Sequence, residues 1–296
     1  MKSGTVAVVG KANAGKSTLI NVLVGEKIAI VSPKPQTTRD RILGILTEEE
    51  SQIVFIDTPG IYKASTMLNS IMQRTTEQSS KEVDLIMLVI DAHDGIKDDD
   101  IKLIEKFKKS GVELIVALTK IDIMQEKLLI SILSELNYCG VEIIPVSARR
   151  NKNLKELKKV ILDKLPEGDF LYPEDIISDK SERFMLQEIM REKILLKFDK
   201  EIPHGIAIII TEFKERPNGR VVDVSLDIVC EKDNHKSILI GKQGRAIKEV
   251  SSFARRDMEK FLGKKVFLTT YIKVKEDWRD SPSLIREYGY KEDKNV

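Results

Sequence analysis

The sequence GKANAGKS, residues 10–17, follows a short apolar run at 5–9 and precedes a helical pattern at 18–24. Small residues in such a turn let successive backbone N–H groups surround a phosphate. Lys16 can then reach the β- and γ-phosphate oxygens, the Ser17 hydroxyl can ligate Mg²⁺, and the helix adds the positive end of its dipole. This stretch, called the phosphate loop below, predicts a nucleoside triphosphate site at the end of a strand.

The composition indicates a globular protein with room for two domains. The chain has 296 residues, of which 42% are hydrophobic and 32% charged. Its longest apolar runs, 85–90 and 206–210, are far too short to span a bilayer, and no signal-peptide pattern is present. Cys139 and Cys230 lie far apart without metal-binding spacing, so we expect thiols in a reducing compartment. We therefore expect a cytoplasmic location, with peripheral attachment to the cytoplasmic face of the cell membrane left open.

The order of apolar runs predicts the architecture. Short β-branched runs at 5–9, 52–57, 84–91, 113–119 and 142–147 alternate with helical patterns up to about residue 165. This alternation predicts an α/β domain with a mostly parallel sheet and helices on both faces. Prolines, a glycine and acids at 166–175 then indicate a linker. Strand and helix patterns beyond it predict a smaller α+β domain. We predict a first domain over residues 1–170, a linker over 171–180, and a second domain with its tail over 181–296.

The segment DTPG at 57–60 ends the second apolar run of the first domain. A carboxylate at Asp57 can hold Mg²⁺ through a water molecule, and the Gly60 amide can meet the γ-phosphate. Because this segment follows the phosphate loop by one strand, the two motifs together predict a magnesium–triphosphate site.

Two later segments predict which base is bound. TKID at 119–122 follows an apolar run, and Asp122 there can accept hydrogen bonds from the N1–H and the exocyclic amine of guanine. Adenine lacks that amine and inverts the N1 polarity, and the stem of Lys120 can pack on the guanine base. SAR at 147–149 follows the next strand and offers a backbone amide to the guanine carbonyl. The sequence therefore predicts that the nucleotides are GTP and GDP.

This order of motifs resembles the translation-factor class of GTPases, and QTTR at 36–39 is similar to the switch of the Era family. The resemblance implies GTP hydrolysis with Mg²⁺ as cofactor. It also implies that one threonine of the switch binds Mg²⁺; alignment on the Thr-Arg pair makes it Thr38, with Thr37 as the alternative. Ile61 stands where Ras-like enzymes place a water-orienting glutamine, which implies slow intrinsic turnover.

Three residues of the nucleotide motifs carry further expectations. Asn13 matches the asparagine that helps to coordinate K⁺ in potassium-activated relatives, but an asparagine chosen for turn geometry explains the sequence equally well. Thr119 replaces the usual asparagine before Lys120, for which we expect looser bracing of the loop and an unchanged choice of guanine, and Ala12 stands where a proline is common.

The motifs and the resemblance give a complete set of candidate nucleotide-site residues. The predicted nucleotide-binding residues are Gly10, Lys11, Ala12, Asn13, Ala14, Gly15, Lys16, Ser17, Thr18, Asp57, Thr58, Pro59, Gly60, Ile61, Thr119, Lys120, Ile121, Asp122, Ser147, Ala148 and Arg149. The predicted catalytic residues are Lys16, Thr38 and Gly60. The predicted Mg²⁺ ligands are Ser17, Thr38 and, through water, Asp57.

The segment ILIGKQGRAIK at 238–248 resembles the nucleic-acid clamp of KH domains, and the order of elements fits the type II arrangement. Its glycines allow a tight turn that a single-stranded backbone can approach closely. The surrounding residues 236–275 hold 11 Lys/Arg against 3 Asp/Glu, which favours a polyanion. The predicted RNA-binding residues are Ile240, Gly241, Lys242, Gln243, Gly244, Arg245 and Lys248.

The tail, with Trp278-Arg279-Asp280, is similar to the closing segment of Era proteins. Membership of that family implies a monomeric GTP-dependent switch whose KH domain binds the 3′ end of small-subunit ribosomal RNA. It also implies a role in small ribosomal subunit maturation and possible contact with the inner membrane. The alternative is a GTPase whose second domain mediates protein or membrane-surface contact.

Overall fold

The computed structural model describes residues 1–61, 66–80, 82–217 and 219–290. The chain divides into two compact units. The first comprises Met1–Ala29, Thr38–Lys63 and Met72–Asp179, and the second comprises Ile30–Thr37, Ala64–Ile71 and Lys180–Val296. The last six residues of the predicted second domain, 291–296, lie outside the described residues.

The first unit contains a six-stranded sheet with the strand order β2-β3-β1-β4-β5-β6. Only β2 runs antiparallel to its neighbour; the other pairings are parallel. The strands are β1 Lys2–Val9, β2 Ile42–Glu48, β3 Ser51–Asp57, β4 Leu85–Asp91, β5 Glu113–Thr119 and β6 Glu142–Pro145. The helices of this part of the chain are α1 Lys16–Val24, α2 Met67–Ser79, α3 Asp98–Lys108, α4 Glu126–Asn137 and α5 Leu154–Lys164.

Helices cover both faces of this sheet. Gly44 of β2 is in register, across β3, with Val6 of β1, so the two residues lie on one face. A side chain at Gly44 would collide with Ile20 of α1, which places α1 on that face. Ala7 points to the opposite face and belongs to an apolar cluster with Ile104 of α3. The predicted mostly parallel sheet with helices on both faces is confirmed.

Strand β2 was not among the predicted strands. Its apolar pattern is interrupted by Gly44, and glycine weakens a strand pattern because it contributes no side chain to the packing. In the structure this glycine is required: a Cβ atom there would lie 2.3 Å from Ile28 Cδ1. The sequence signal for the strand was therefore weakened by the same residue that lets α1 pack closely.

Residues 166–179 form no helix or extended strand, and the end of this segment runs beside β2 at the edge of the sheet. Ile45 N of β2 donates to Ile177 O at 2.9 Å, and Leu43 N donates to Asp179 Oδ1 at 2.9 Å. These bonds occupy backbone groups that an edge strand would otherwise expose.

The second unit contains a three-stranded sheet, β7-β8-β9, in which β7 and β8 are antiparallel and β8 and β9 are parallel. Side chains of α6, α7 and α8 form a single apolar core with it. The elements are α6 Glu182–Lys197, β7 Ala207–Glu215, β8 Val221–Cys230, α7 Asp233–Ile240, α8 Arg245–Leu262, β9 Lys265–Val274 and α9 Pro282–Glu287. This αββααβ order is the one expected for a type II KH domain. Across the described ranges, every helix is too short or too polar to cross a bilayer.

Trp278 anchors the C-terminal tail. Its side chain is fully buried, and Nε1 donates to Gly205 O at 3.0 Å. The ring centroids of Tyr288 and Tyr290 lie 5.5 and 5.9 Å from that of Trp278. Trp278 is therefore a packing residue of the second unit.

Candidate nucleotide site and RNA-binding turn

The phosphate loop connects the end of β1 to the start of α1. Gly10 adopts φ +148°, and a Cβ atom there would lie 2.3 Å from Val89 O, so only glycine fits. Gly15 caps α1 at φ +94°, also in the region that glycine favours. The ammonium of Lys16 donates to Gly10 O and to Lys11 O, each at 3.1 Å. The lysine thus spans the loop and lies at the N-terminus of the helix.

The Lys16 side chain is buried, and this burial changes the pKa of its ammonium group. Desolvation lowers the pKa of Lys16 to about 8, against the opposing effect of the Asp57 carboxylate. The hydrogen-bond acceptors of its ammonium are neutral carbonyls. A phosphate oxygen would provide the negative charge that these carbonyls lack.

Three predicted Mg²⁺ ligands come together beside this lysine. Ser17 Oγ donates to Asp57 Oδ2 at 2.7 Å and lies 2.9 Å from Thr38 Oγ1. Thr38 Oγ1 lies 3.3 Å from the same carboxylate oxygen. The alternative threonine is engaged elsewhere, because Thr37 Oγ1 donates to Lys34 O at 2.6 Å. The geometry therefore favours Thr38 over Thr37 as the switch ligand.

The carboxylate of Asp57 is buried and has one oxygen without a hydrogen-bond partner among the described residues, as expected of a group that binds a cation. It is fully buried, and desolvation raises the pKa of its carboxyl, although Lys16 and the bonds from Ser17 and Thr38 act in the opposite direction. Among the described residues, Asp57 Oδ1 has no hydrogen-bond partner. A buried carboxylate oxygen without a partner is costly. Two hydroxyls and a carboxylate are hard oxygen donors, so these residues fit Mg²⁺.

The loop after β3 packs tightly on the phosphate loop. A Cβ atom at Gly60 would lie 2.8 Å from Ala12 N and Ala12 Cα, so a larger residue would push the two loops apart. Ile61 N donates to Gly10 O at 3.1 Å. The Ile61 side chain packs against the apolar cluster of the sheet, where it has no polar atom to offer a water molecule.

Thr119 braces the phosphate loop from the end of β5. Its hydroxyl lies 2.6 Å from Ala14 O and 3.1 Å from Ile90 O, and the residue is 3% exposed. The threonine that replaces the usual asparagine thus still makes a hydrogen bond to the loop. Thr119 therefore supports the phosphate loop although its side chain is shorter than that of asparagine.

The predicted base-recognition residues lie together at the carboxyl ends of β5 and β6. Asp122 Oδ1 accepts a hydrogen bond from Ser147 Oγ at 2.6 Å, which fixes the carboxylate. Lys120 adopts φ +61°, and its ammonium lies 2.5 Å from Asp91 Oδ2. Ala148 and Arg149 follow directly after the buried Ser147.

Two acids in the first unit were not predicted as part of the site. Asp91 ends β4 and pairs with Lys120, and Asp100 of α3 forms an ion pair with Lys11 at 2.8 Å. The ammonium of Lys11 is therefore directed to α3. A polar residue at the end of a strand was the available signal for Asp91, whereas Asp100 is one of three consecutive acids in a helical first turn.

In the second unit, the predicted RNA-binding turn joins α7 to α8. Gly241 adopts φ +70°, and a Cβ atom there would lie 2.6 Å from Ala246 Cβ. Gly244 adopts φ +73° with open space around it, and Gly244 N donates to Gly241 O at 3.1 Å. The two glycines thus differ: the first is required by packing, whereas the second leaves the backbone accessible.

Three basic side chains lie at or just after this turn. Within the described ranges, the exposed side chains of Lys242, Arg245 and Lys248 form no ion pair with an acid. Some cations further from the turn are paired: Lys264, which follows α8, pairs with Glu215 at 2.7 Å, and Lys273 of β9 pairs with Asp227 at 2.6 Å. The turn therefore concentrates uncompensated positive charge.

Comparisons with protein families agree with both units. Residues 5–120 match the family described as 50S ribosome-binding GTPase, and residues 201–279 match the KH domain family. Together with the fold and the site, these matches define the class: a P-loop GTPase domain followed by a KH domain. The predicted fold class is confirmed.

Full-length relatives identify the family. GTPase Era of Clostridium kluyveri strain NBRC 12016 is 43% identical over 295 residues, covering 98% of this chain and 100% of that protein. GTPase Era of Thermoanaerobacter pseudethanolicus is 42% identical over 298 residues, covering 100% and 98%. The chain belongs to the Era family and is a GTPase, which confirms the resemblance seen in the sequence.

Two solved structures share the whole architecture. One is a variant of Aquifex aeolicus Era bound to GDP·AlF₄⁻, and the other is Era in complex with MgGDPNP and nucleotides 1506–1542 of 16S ribosomal RNA. Each has a TM-score of 0.94 and 40% sequence identity to this chain, covering 98% of it and 99% of the solved chain.

Proposed function

We propose that this GTPase is a GTP-dependent switch whose KH domain binds single-stranded RNA at the 3′ end of 16S ribosomal RNA during small-subunit assembly. One observation carries the RNA part: the exposed turn at 241–244 presents Lys242, Arg245 and Lys248 without acidic partners among the described residues. Support comes from the Era structure that contains nucleotides 1506–1542 of 16S ribosomal RNA.

The nucleotide site supplies the switch. In our proposal Lys16 neutralises the β- and γ-phosphates, and Ser17, Thr38 and, through water, Asp57 hold Mg²⁺. The bound Mg²⁺ would neutralise charge on the phosphates. Asp122, fixed by Ser147, reads the guanine edge. Of these residues, Thr38 is the one in the predicted switch. In our proposal its position therefore differs between the state with the γ-phosphate and the state without it.

Hydrolysis requires a group other than Ile61 to orient the attacking water. The Gly60 backbone is the proposed donor to the γ-phosphate, because Gly60 is held against the phosphate loop. Without a side chain that orients water we propose slow intrinsic turnover.

A monovalent cation at Asn13 is a further proposal for this reaction. K⁺ beside the phosphate loop would supply the positive charge that other GTPases take from an arginine. Asn13 adopts φ +64°, which asparagine tolerates, so turn geometry alone also accounts for the residue. Comparing K⁺ with Na⁺ distinguishes the two interpretations.

The RNA proposal is tested by fluorescence anisotropy with a labelled single-stranded RNA that matches the 3′ end of 16S ribosomal RNA. Gly244→Asp introduces a negative charge at the open position of the turn, and aspartate tolerates this backbone conformation. Gly263→Asp is the matched control, because Gly263 has φ +65° and open surroundings at the far end of the same helix.

We expect Gly244→Asp to weaken RNA binding at least about tenfold, as one repelled phosphate contact would, and Gly263→Asp to change it little. Equal affinities of the two variants would contradict the proposal. Failure of the wild-type protein to bind this RNA would favour a second domain that contacts protein or membrane instead.

We also propose that the protein acts as a monomer in the cytoplasm, with peripheral contact to the cytoplasmic face of the membrane. Sedimentation equilibrium tests the monomer. Co-sedimentation with vesicles containing anionic lipid tests the membrane contact, which would weaken as salt rises because it depends on Lys and Arg charge.

A further inference from the structure

Helix α6 carries buried charge on the face that does not join the apolar core. Leu186, Ile189 and Ile194 contribute to the KH core, as an amphipathic helix predicts. Glu188 and Arg191, which lie one turn apart on another face, are nevertheless 8% and 1% exposed. Buried charges persist only where they are paired and hydrogen-bonded, so this second face must have polar partners.

The partners are backbone groups of residues 30–37, which belong to the same compact unit as α6. Arg191 Nη1 donates to Gln36 O at 3.4 Å, and Arg191 Nη2 donates to Thr37 O. The guanidinium is also paired with Glu188, through Nε to Oε1 at 2.7 Å and through Nη2 to Oε2. One arginine thus joins the helix to two successive carbonyls of the predicted switch.

Neighbouring contacts hold the same segment. Val31 N donates to Glu192 Oε1 at 3.1 Å, and the ammonium of Lys34 donates to Phe198 O and Asp199 Oδ1, the latter at 2.8 Å. Segment 30–37 is therefore attached to α6 and the residues after it at three places.

The backbone at the arginine contact is strained. Gln36 adopts φ +59°, a left-handed conformation that is unfavourable for a non-glycine residue. Such a conformation persists when surrounding contacts determine it. Arg191 donates to the carbonyl oxygens of Gln36 itself and of the next residue, Thr37, and so contributes to this constraint.

Thr38 follows Thr37 directly in the chain, and its hydroxyl lies beside Ser17 and Asp57. We propose that Arg191 is a positioning residue for Thr38: it holds the preceding carbonyls in the conformation that presents the Thr38 hydroxyl to Mg²⁺. The inference rests on the Mg²⁺ role given to Thr38 under the proposed function. By linkage, the state that binds Mg²⁺ and GTP and the contact between Arg191 and the switch stabilise each other.

The packing of α6 connects this contact to the RNA-binding turn. Helix α6 packs against α8, and α8 begins at Arg245, directly after its N-cap Gly244 in the RNA-binding turn. The switch carbonyls and the turn are thus attached to two helices that pack on each other within one unit. The proposal to be tested is that Arg191 positions Thr38.

The test measures dissociation constants for fluorescent GDP and GDPNP, in excess Mg²⁺ and in EDTA, with no RNA present. Arg191→Lys retains a cation for Glu188 but replaces the planar guanidinium by a single ammonium nitrogen, which lacks the fork that holds Gln36 O, Thr37 O and both Glu188 oxygens together. We expect about a five- to tenfold loss of GDPNP affinity in Mg²⁺, at the low end of usual coupling, and little change for GDP. Lys197→Ala is the control, because Lys197 lies on the same helix, is exposed and pairs with Glu249.

A double-mutant cycle separates positioning from general stabilisation. In a Thr38→Ala background, Arg191→Lys should have no further effect on GDPNP affinity, because the two changes remove one interaction. Additive effects, an equal loss of GDP and GDPNP affinity, or an unchanged preference in folded Arg191→Lys would each overturn the proposal. If Thr38→Ala alone changes nothing, the Mg²⁺ role of Thr38 fails and the inference fails with it.

Folding is checked by thermal unfolding and by RNA affinity of the GDP-bound protein. If Arg191→Lys does not fold, Glu188→Gln carries the same test, because it leaves the guanidinium in place and removes only the charge that orients it. A smaller shift of the GDPNP-to-GDP preference in the same direction supports the proposal, and an unshifted preference contradicts it.

Discussion

The hydroxyl of Thr119 lies 2.6 Å from the carbonyl oxygen of Ala14 and so ties the base-recognition segment to the phosphate loop. Ala14 is one of the small residues of the phosphate loop, and Thr119 precedes Lys120 and Asp122, the predicted base-recognition residues. One buried hydrogen bond therefore links the two ends of the nucleotide site.

Thr119→Val should weaken GDP and GTP binding alike, by about five- to tenfold, because loss of a buried hydrogen bond costs about 1 kcal/mol. The choice of guanine over adenine should not change, because Asp122 keeps its bond to Ser147. Isothermal titration with GDP, GTP and ATP measures both effects. Thr119→Ser retains the hydroxyl and is the control. If Thr119→Ser loses as much nucleotide affinity as Thr119→Val, the methyl group of Thr119 and not its hydrogen bond is responsible.

Asp122→Asn should shift base preference from GTP toward xanthosine triphosphate, because the new amide donates to the 2-oxo group of xanthine. The Asn carbonyl can still accept the bond from Ser147 Oγ, so the local fold is retained. We expect GTP affinity to fall about 100-fold, as loss of hydrogen bonds to a charged group predicts. Competition between the two nucleotides measures the shift, with Glu126→Gln as a nearby exposed control. Strict GTP preference in the variant would rule out Asp122 as the base-reading residue.

Potassium in place of sodium should raise GTP turnover if Asn13 helps to bind a cation at the phosphate loop. We expect about a tenfold effect, typical of one added electrostatic interaction in the transition state. Asn13→Gly preserves φ +64°, because glycine adopts this conformation freely, while it removes the amide. The potassium effect should vanish in this variant. Equal rates of the wild-type protein in both salts would leave Asn13 as a turn residue.

Trp278→Phe should lower the free energy of unfolding of the second unit by about 2 kcal/mol, because it leaves Gly205 O without its donor and creates a small cavity. Urea unfolding followed by circular dichroism, with GDP saturating the first unit, measures this change. Phe267→Leu is the control, because Phe267 is 59% exposed. A Trp278→Phe protein as stable as this control would show that the tail does not stabilise the domain.

The parts of the site that were predictable depend on local sequence. Gly10 and Gly60 are needed for backbone conformation or close approach, while Asp57 ends β3 and Asp122 lies three residues after the end of β5 in the same mostly parallel sheet. Such requirements act on the residues of a short motif, so the motif itself carries the information. Strand β2 escaped prediction because the glycine that admits α1 also interrupts its apolar pattern.

The contacts of Arg191 could not be predicted in the same way. Arg191 lies in a helix of ordinary amphipathic sequence, more than 150 positions from the carbonyls of Gln36 and Thr37. Carbonyl acceptors exist at every residue, so no side-chain pattern marks them. The ion pair of Lys11 with Asp100 escaped for a related reason, since three consecutive acids begin α3 and the sequence does not distinguish them.

The central claim is that guanine nucleotide controls RNA binding, and one titration tests it most directly. Labelled single-stranded RNA matching the 3′ end of 16S ribosomal RNA is titrated with the full chain loaded with GDP or with GDPNP and Mg²⁺, and anisotropy gives the two dissociation constants. The account predicts tighter binding with GDPNP, by at least about fivefold, the lower limit of usual allosteric coupling. Equal dissociation constants in the two nucleotide states would contradict it.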